Sequence, residues 1–260
     1  MDKGFLVKLK KKKATLKKVR PAGRDLEVGE ECVVGNDQGR VELGVMLEEG
    51  VKVEDSDWKL IRSAKESDIR KFEENEKKAE DALKKAKKLV KNQGLSMDII
   101  GGDYSLERRQ LKFYFTAPQR VDFRGLLKEM AHEFSTRIEL EQIGPREAGS
   151  ILGGIGRCGK EICCRSFLNE AGPVPMEVAQ KQDLTISPER LTGICGRLLC
   201  CLKYESEDYE EILESMPETG SEIEYEGEMC KVINRNVQLK SITLRTGEEK
   251  KVRLDLADLE

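Results

Sequence analysis

Apolar and polar residues alternate through the first sixty positions, with Phe5, Val7 and Leu9 in one run and Val41, Leu43, Val45 and Leu47 in another. Turn formers at Gly23, Gly29, Asn36-Asp37 and Gly39 punctuate the pattern. A period of two belongs to half-buried strands, so residues 1–62 are expected to form a small β unit. The period then becomes helical. Ile69, Phe72, Ala79, Leu83, Ala86 and Val90 fall on one stripe of a long charged helix, with Ser63-Ala64-Lys65-Glu66 as its capping box and Gly94 beyond its end. A β-β-α-β run follows: Met97–Ile100, Leu111–Phe115, a helix capped by Asp122, and Arg137–Ile143. With Phe123, Leu126, Leu127, Met130 and Phe134 facing inward, this run and the long helix predict an α/β sandwich over residues 63–143.

Residues 144–204 form a cysteine-rich module, and residues 205–260 combine an acidic linker or helix (Glu207–Met216) with a C-terminal barrel-like β unit. Ile223, Tyr225, Val232, Ile233, Val237, Leu239, Ile242, Leu244 and Val252 supply the apolar positions of that last unit. The expected class is α+β. No stretch approaches the roughly 20 apolar residues of a membrane span, and the N-terminus has no long apolar segment, so a cytoplasmic protein is expected.

Charge is nearly balanced, 46 Lys and Arg against 49 Asp and Glu, but unevenly placed. Residues 1–24 hold ten bases and one acid, including the run Lys10-Lys11-Lys12-Lys13, whereas residues 205–228 hold eleven acids and no base. The basic end suits RNA phosphates, although Phe5 is the only aromatic there to stack a base. The acidic stretch would repel nucleic acid and suits a protein-binding surface.

The chemistry is concentrated in a repeat. Gly156-Arg157-Cys158-Gly159-Lys160-Glu161-Ile162-Cys163-Cys164 is nearly repeated as Gly193-Ile194-Cys195-Gly196-Arg197-Leu198-Leu199-Cys200-Cys201, with Phe167 and Tyr204 at the same offset. Six of the eight cysteines lie in these windows. Thiolates offered at fixed spacing by two loops suit a soft metal or an iron-sulfur cluster. Lys160 and Arg197 favour thiolate over thiol, and Ile162, Leu198, Leu199 and Leu202 exclude water from one side. Cys158, Cys163, Cys195 and Cys200 would close a zinc tetrahedron at C-x4-C spacing or ligate a cluster equally well. Cys164 and Cys201 are then surplus. A disulfide framework belongs mostly to short secreted chains, and simple burial suits Cys32 and Cys230, which stand alone in strand-like runs.

Catalytic groups are scarce. His132, the single histidine, lies in the apparent helix Asp122–Phe134, and there is no Walker A loop, dinucleotide fingerprint or H-E-x-x-H. Gly153-Gly154-Ile155-Gly156 lacks the Lys-Ser/Thr ending of a phosphate loop and is read as letting the backbone approach the thiols. The chain is therefore expected not to be an enzyme. A redox or metal-transfer enzyme using Cys163-Cys164 or Cys200-Cys201 is the competing class.

Arg120-Val121-Asp122-Phe123-Arg124, the run from Ser135 to Gly144, Gly153-Gly154-Ile155-Gly156 and the doubled cysteine motif resemble a bacterial family over about residues 4–205. It is the family of stage-zero sporulation proteins bearing the C-terminal domain named after the yeast polymerase suppressor, PSP1. The resemblance implies a non-catalytic adaptor working with RicA and RicF in a complex that carries [4Fe-4S] clusters. It further implies assistance to the membrane-attached ribonuclease RNase Y in mRNA maturation, with effects on sporulation, competence and biofilm formation. It favours iron-sulfur over zinc, with Cys158, Cys163, Cys164 and Cys195 as the first ligands and Cys200 and Cys201 next. The runner-up is a zinc-stabilised RNA-binding module that uses the basic N-terminus.

Overall fold

In this computed structural model the chain is mixed α+β, and the described residues are 3–258 without 14, 24, 54–55, 169–171, 183–188 and 248. They divide into two units: Met1–Ala171 with Ile194–Gly196, and Gly172–Gly193 with Arg197–Glu260.

Unit 1 begins with five antiparallel strands, β1 (Lys3–Leu9), β2 (Thr15–Val19), β3 (Glu31–Asn36), β4 (Val41–Lys52) and β5 (Trp58–Ser63), in the order β2-β1-β4-β3-β5. The two edges meet, since Arg20 N–H donates to Trp58 O (3.0 Å) and Leu60 N–H to Arg20 O (2.9 Å). Edge pairing of this kind removes open backbone groups. Phe5, Val7, Leu9, Val19, Val34, Met46, Trp58 and Leu60 fill the interior. The stripe Val41-Leu43-Val45-Leu47 is not what β4 turns inward. Val41 and Leu43 pack instead with Val33, Leu106 and Phe72, while Gly44 and Met46 are buried and Leu47 is exposed. A register shift opposite Leu6 and Val7 separates Leu47 from the ladder. The same parity buries Glu42, a consequence the alternation conceals.

The long helix α1 spans Glu66–Asn92. Ser63 is not its cap, because it remains in the β5 ladder opposite Cys32. Lys65 holds that place instead, its N–H donating to the Asp68 carboxylate at 2.9 Å. Ala79, Ala82, Ala86 and Val90 are buried as the helical stripe requires, and Asp68 and Asn75 are buried beside them. Asn75 donates to the carbonyls of Ser105 and Leu106, both at 3.2 Å.

After α1 come β6 (Asp98–Tyr104), β7 (Gln110–Thr116), α2 (Arg124–Phe134) and β8 (Arg137–Gln142). β6 and β7 are antiparallel, β7 and β8 parallel, with α2 as the crossover. The Asp122 carboxylate accepts from Arg124 N–H (3.1 Å) at the start of α2. One face of this sheet packs Ile99, Leu111, Phe113 and Phe115 against Ala82, Ala86, Leu126 and Met130. The other packs Tyr114 and Ile143 against Ala148 and Ile151 of α3 (Pro145–Leu152). The short α4 (Cys163–Ser166) follows.

The lysine run lies between the first sheet and this second layer. Lys10 pairs with Glu31, Lys11 with Glu42 (3.1 Å), Lys12 with Glu76 and Glu80 (both 3.7 Å), and Lys13 with Glu141 and Glu147 (both 2.7 Å). Lys12 N–H also donates to both Asp103 oxygens, at 3.1 and 3.2 Å. The buried Arg40, Glu42 and Tyr114 form a polar cluster with the half-buried Lys11 and Asp103, in which Arg40 Nε donates to Glu42 and Tyr114 bonds Asp103. Burial lowers the Lys11 pKa and raises those of Asp103 and Tyr114.

Unit 2 contains α5 (Met176–Lys181), α6 (Cys200–Tyr204) and α7 (Ser206–Glu214), then the strands β9 (Glu222–Tyr225), β10 (Glu228–Asn236), β11 (Ser241–Arg245) and β12 (Lys251–Asp255). The strands form an antiparallel meander, β12-β11-β10-β9, over Cys230, Val232, Ile242, Leu244 and Leu254. Among the described residues, no helix is long and apolar enough to cross a membrane.

Candidate metal centre

The two cysteine windows share one backbone. In the first, Ile155 bridges Glu161, Gly156 N–H donates to Lys160 O (2.8 Å), and Ile162 N–H donates to Gly154 O (3.2 Å). In the second, each partner lies thirty-seven residues later: Thr192 bridges Leu198, Gly193 N–H donates to Arg197 O (2.9 Å), and Leu199 N–H to Leu191 O (2.9 Å). The glycine after the first cysteine is left-handed in both, with φ of 79° at Gly159 and 72° at Gly196. That conformation explains the Cys-Gly pair, because a side chain there would be strained. Ile162 (φ −59°, ψ 135°) and Leu199 (φ −58°, ψ 132°) then turn the chain into α4 and α6. Each copy is thus a narrow hairpin with one cysteine at its tip, followed by a short helix that opens on a cysteine pair.

Cys158 is exposed, Cys163, Cys195, Cys200 and Cys201 are half-buried, and Cys164 is buried. Unit 1 holds Cys158, Cys163, Cys164 and, through the tip of the second hairpin, Cys195. That tip rests on α3: a Cβ built on Gly149 would lie 3.4 Å from the Cys195 Cβ. Arg165, which sequence reasoning did not single out, donates from Nη1 to Ile151 O (2.9 Å) and so satisfies a carbonyl at the end of α3. Its only advance signal is a base directly after the cysteine pair. In unit 2, Leu202 is buried with Ala179 and Leu191, and Leu198 and Leu199 pack on them. Lys160 and Arg197 stand exposed on the hairpins.

Cys32 and Cys230 differ from these six. Both are completely buried, in β3 and β10, and burial with the nearby Glu30 and Glu31 pushes the Cys32 thiol up to about 12. At that value it is not a ligand or nucleophile at neutral pH. His132, in the last turn of α2, is exposed.

Six thiols without histidine suit a soft metal or an iron-sulfur group by donor chemistry. Among the described residues, neither unit brings three His, Cys, Asp or Glu side chains together as a metal-binding group. The hairpins fix the local backbone geometry of each thiol set.

Of the two cysteine windows, the second lies within a region matched by a known family and the first lies between two such regions. The PSP1 C-terminal conserved region matches residues 58–143, and the third domain of PSP1-like proteins matches residues 173–216. An uncharacterized protein of Schizosaccharomyces pombe is 29% identical over 80 residues, 31% of this chain and 11% of its own length. No solved structure matches the chain. The stage 0 sporulation protein YaaT of Bacillus subtilis strain 168 is 36% identical over 211 residues, covering 79% of this chain and 77% of that protein. An identity of that extent, with the PSP1 region in its midst, places the chain in the PSP1 family that includes YaaT.

Proposed function

We propose that the protein is a non-catalytic regulatory subunit that holds an iron-sulfur cluster through its doubled cysteine motif and serves mRNA maturation by an RNase Y-type ribonuclease, alongside RicA- and RicF-like subunits. The observation that carries this reading is the equivalence of the two hairpins, which present Cys158, Cys163 and Cys164 in the same local frame as Cys195, Cys200 and Cys201. A buried structural cysteine needs no such frame. Among the described residues neither unit gathers three donors by itself, so this reading requires movement of the hairpins or donors of another chain to complete the cluster. The family relationship supports a sporulation role. RNA contact falls to the ribonuclease rather than to Lys10–Lys13, whose ammonium groups face carboxylates.

Anaerobic purification with iron, sulfide and zinc analysis tests the reading. A brown protein with matched iron and sulfide is expected; a colourless protein holding only zinc would overturn it in favour of the zinc module. Cys158→Ser or Cys195→Ser should lose most of the iron, because a cluster short of one ligand becomes labile, while Cys32→Ser and Cys230→Ser retain it.

A further inference from the structure

Unit 1 exposes four large apolar side chains on the segments that meet at the two glycines after α3. Leu152 at the end of α3, Ile155 at the base of the first hairpin, Phe167 after α4 and Ile194 at the tip of the second hairpin are 66, 64, 53 and 56% exposed. The two glycines after α3 bring the Ile194 and Arg165 side chains against this stretch of chain. A Cβ on Gly154, whose φ is +140°, would lie 2.8 Å from Ile194 Cδ1, and one on Gly153 would lie 3.3 Å from the Arg165 side chain, two residues before Phe167. The glycine pair lets Ile194 and Arg165 close onto the chain between Leu152 and Ile155.

The rim of this patch is cationic. Arg165 is balanced by Glu161 at 3.1 Å, but Arg157 and Lys160 are exposed and make no ion pair among the described residues. Apolar anchors beside an unbalanced positive rim match a partner with the opposite arrangement.

We propose that Leu152, Ile155, Phe167 and Ile194, with Arg157 and Lys160, form a docking surface for an acidic amphipathic helix of a partner protein. The apolar stripe of that helix covers the four side chains, and its carboxylates meet the two cations. An anionic membrane is the less fitting occupant, because polybasic segments that recognise such membranes use about four to eight clustered Lys or Arg, and this rim leaves two unpaired. The inference rests on the proposed regulatory role for its need of a partner, but its residues are not the thiols.

The test uses the full chain and a labelled helical peptide of about 18 residues, five turns, with Leu at i, i+3, i+4 and i+7 and Glu elsewhere. A peptide with Lys in place of Glu and vesicles containing phosphatidylserine serve as the other probes. The Glu peptide should bind, the Lys peptide should bind roughly tenfold more weakly or worse, and Leu152→Ser/Ile155→Ser should weaken the Glu peptide by roughly tenfold. Arg157→Glu/Lys160→Glu should reverse the preference between peptides, a readout that mere unfolding cannot produce. Equal binding of both peptides, unchanged binding by both variants, or binding of vesicles but not the Glu peptide would overturn the proposal. Iron and sulfide are measured on the same preparations: peptide binding without a cluster would fail the proposed function and leave the surface standing, and a cluster without peptide binding would do the reverse.

Discussion

The lysine loop and the cysteine hairpins treat their reactive groups in opposite ways. Between β1 and β2, four consecutive ammonium groups are each turned onto a carboxylate, and the nearby Arg40, Glu42 and Tyr114 are buried with Asp103 half-buried beside them. In the hairpins the backbone is fixed twice over, yet of the six thiols only Cys164 is buried. The first arrangement consumes its charges in holding the fold together. The second leaves five of its six thiols exposed or half-buried, and for this reason the hairpins rather than the basic run carry the proposed function.

The contrast is broken most severely at Glu42. Glu42→Gln removes the carboxylate from Lys11 and leaves the buried Arg40 only the more distant Glu139 (3.6 Å), and should cost about 3–5 kcal/mol. Urea unfolding of the variant measures this, with metal content per folded molecule unchanged. A loss below about 1 kcal/mol would mean that the cluster is not a structural joint.

Asp68 offers a pH test. The Arg62 guanidinium, with one bond at 2.9 Å, holds the Asp68 carboxyl from its ordinary 3.8 down to about 2, against the opposing effect of burial and with help from Lys65 N–H. Its folded value lies below its unfolded one, so the contact's contribution is complete above pH 3.8 and is lost as pH falls through about 2. Asp68→Asn should cost about 1–3 kcal/mol at neutral pH. The gap between parent and variant should shrink as urea unfolding is repeated toward pH 2.

Gly159→Ala and Gly196→Ala sharpen the other side of the comparison. Each forces a side chain into the left-handed region at φ near +75°, which costs about 1–2 kcal/mol. Equal losses are expected in hydrogen exchange of the two hairpins, and unequal losses would show that the copies are not energetically alike. Glu161→Gln should be the smallest change, under about 0.5 kcal/mol, since its pair with Arg165 is exposed.

Periodicity made the long helix legible, since Ala79, Ala86 and Val90 recur on its core face. It hid Asp68 and Asn75, whose burial depends on Arg62 and on carbonyls some thirty residues away. In the same way the lysine run reads as a phosphate-binding surface when its partners are out of view: Lys13 and Glu141 are 128 residues apart. The doubled motif was legible to the level of its backbone, because Gly159 and Gly196 mark turns that local sterics dictate. Contacts between the two windows are a long-range property that no local spacing encodes.

The span between Lys13 and its carboxylates also sets a schedule for synthesis. At about 5–20 residues per second, the 128 residues to Glu141 take on the order of ten seconds to emerge after Lys13. Lys12 N–H has no Asp103 carboxylate to receive it until residue 103 has emerged, and Lys13 stays without Glu141 for the whole interval, however early the strands themselves pair. The N-terminal sheet is consequently a nascent-chain client that waits for its keystone, and a nascent chain stalled before Asp103 should be trapped with its first layer unfinished.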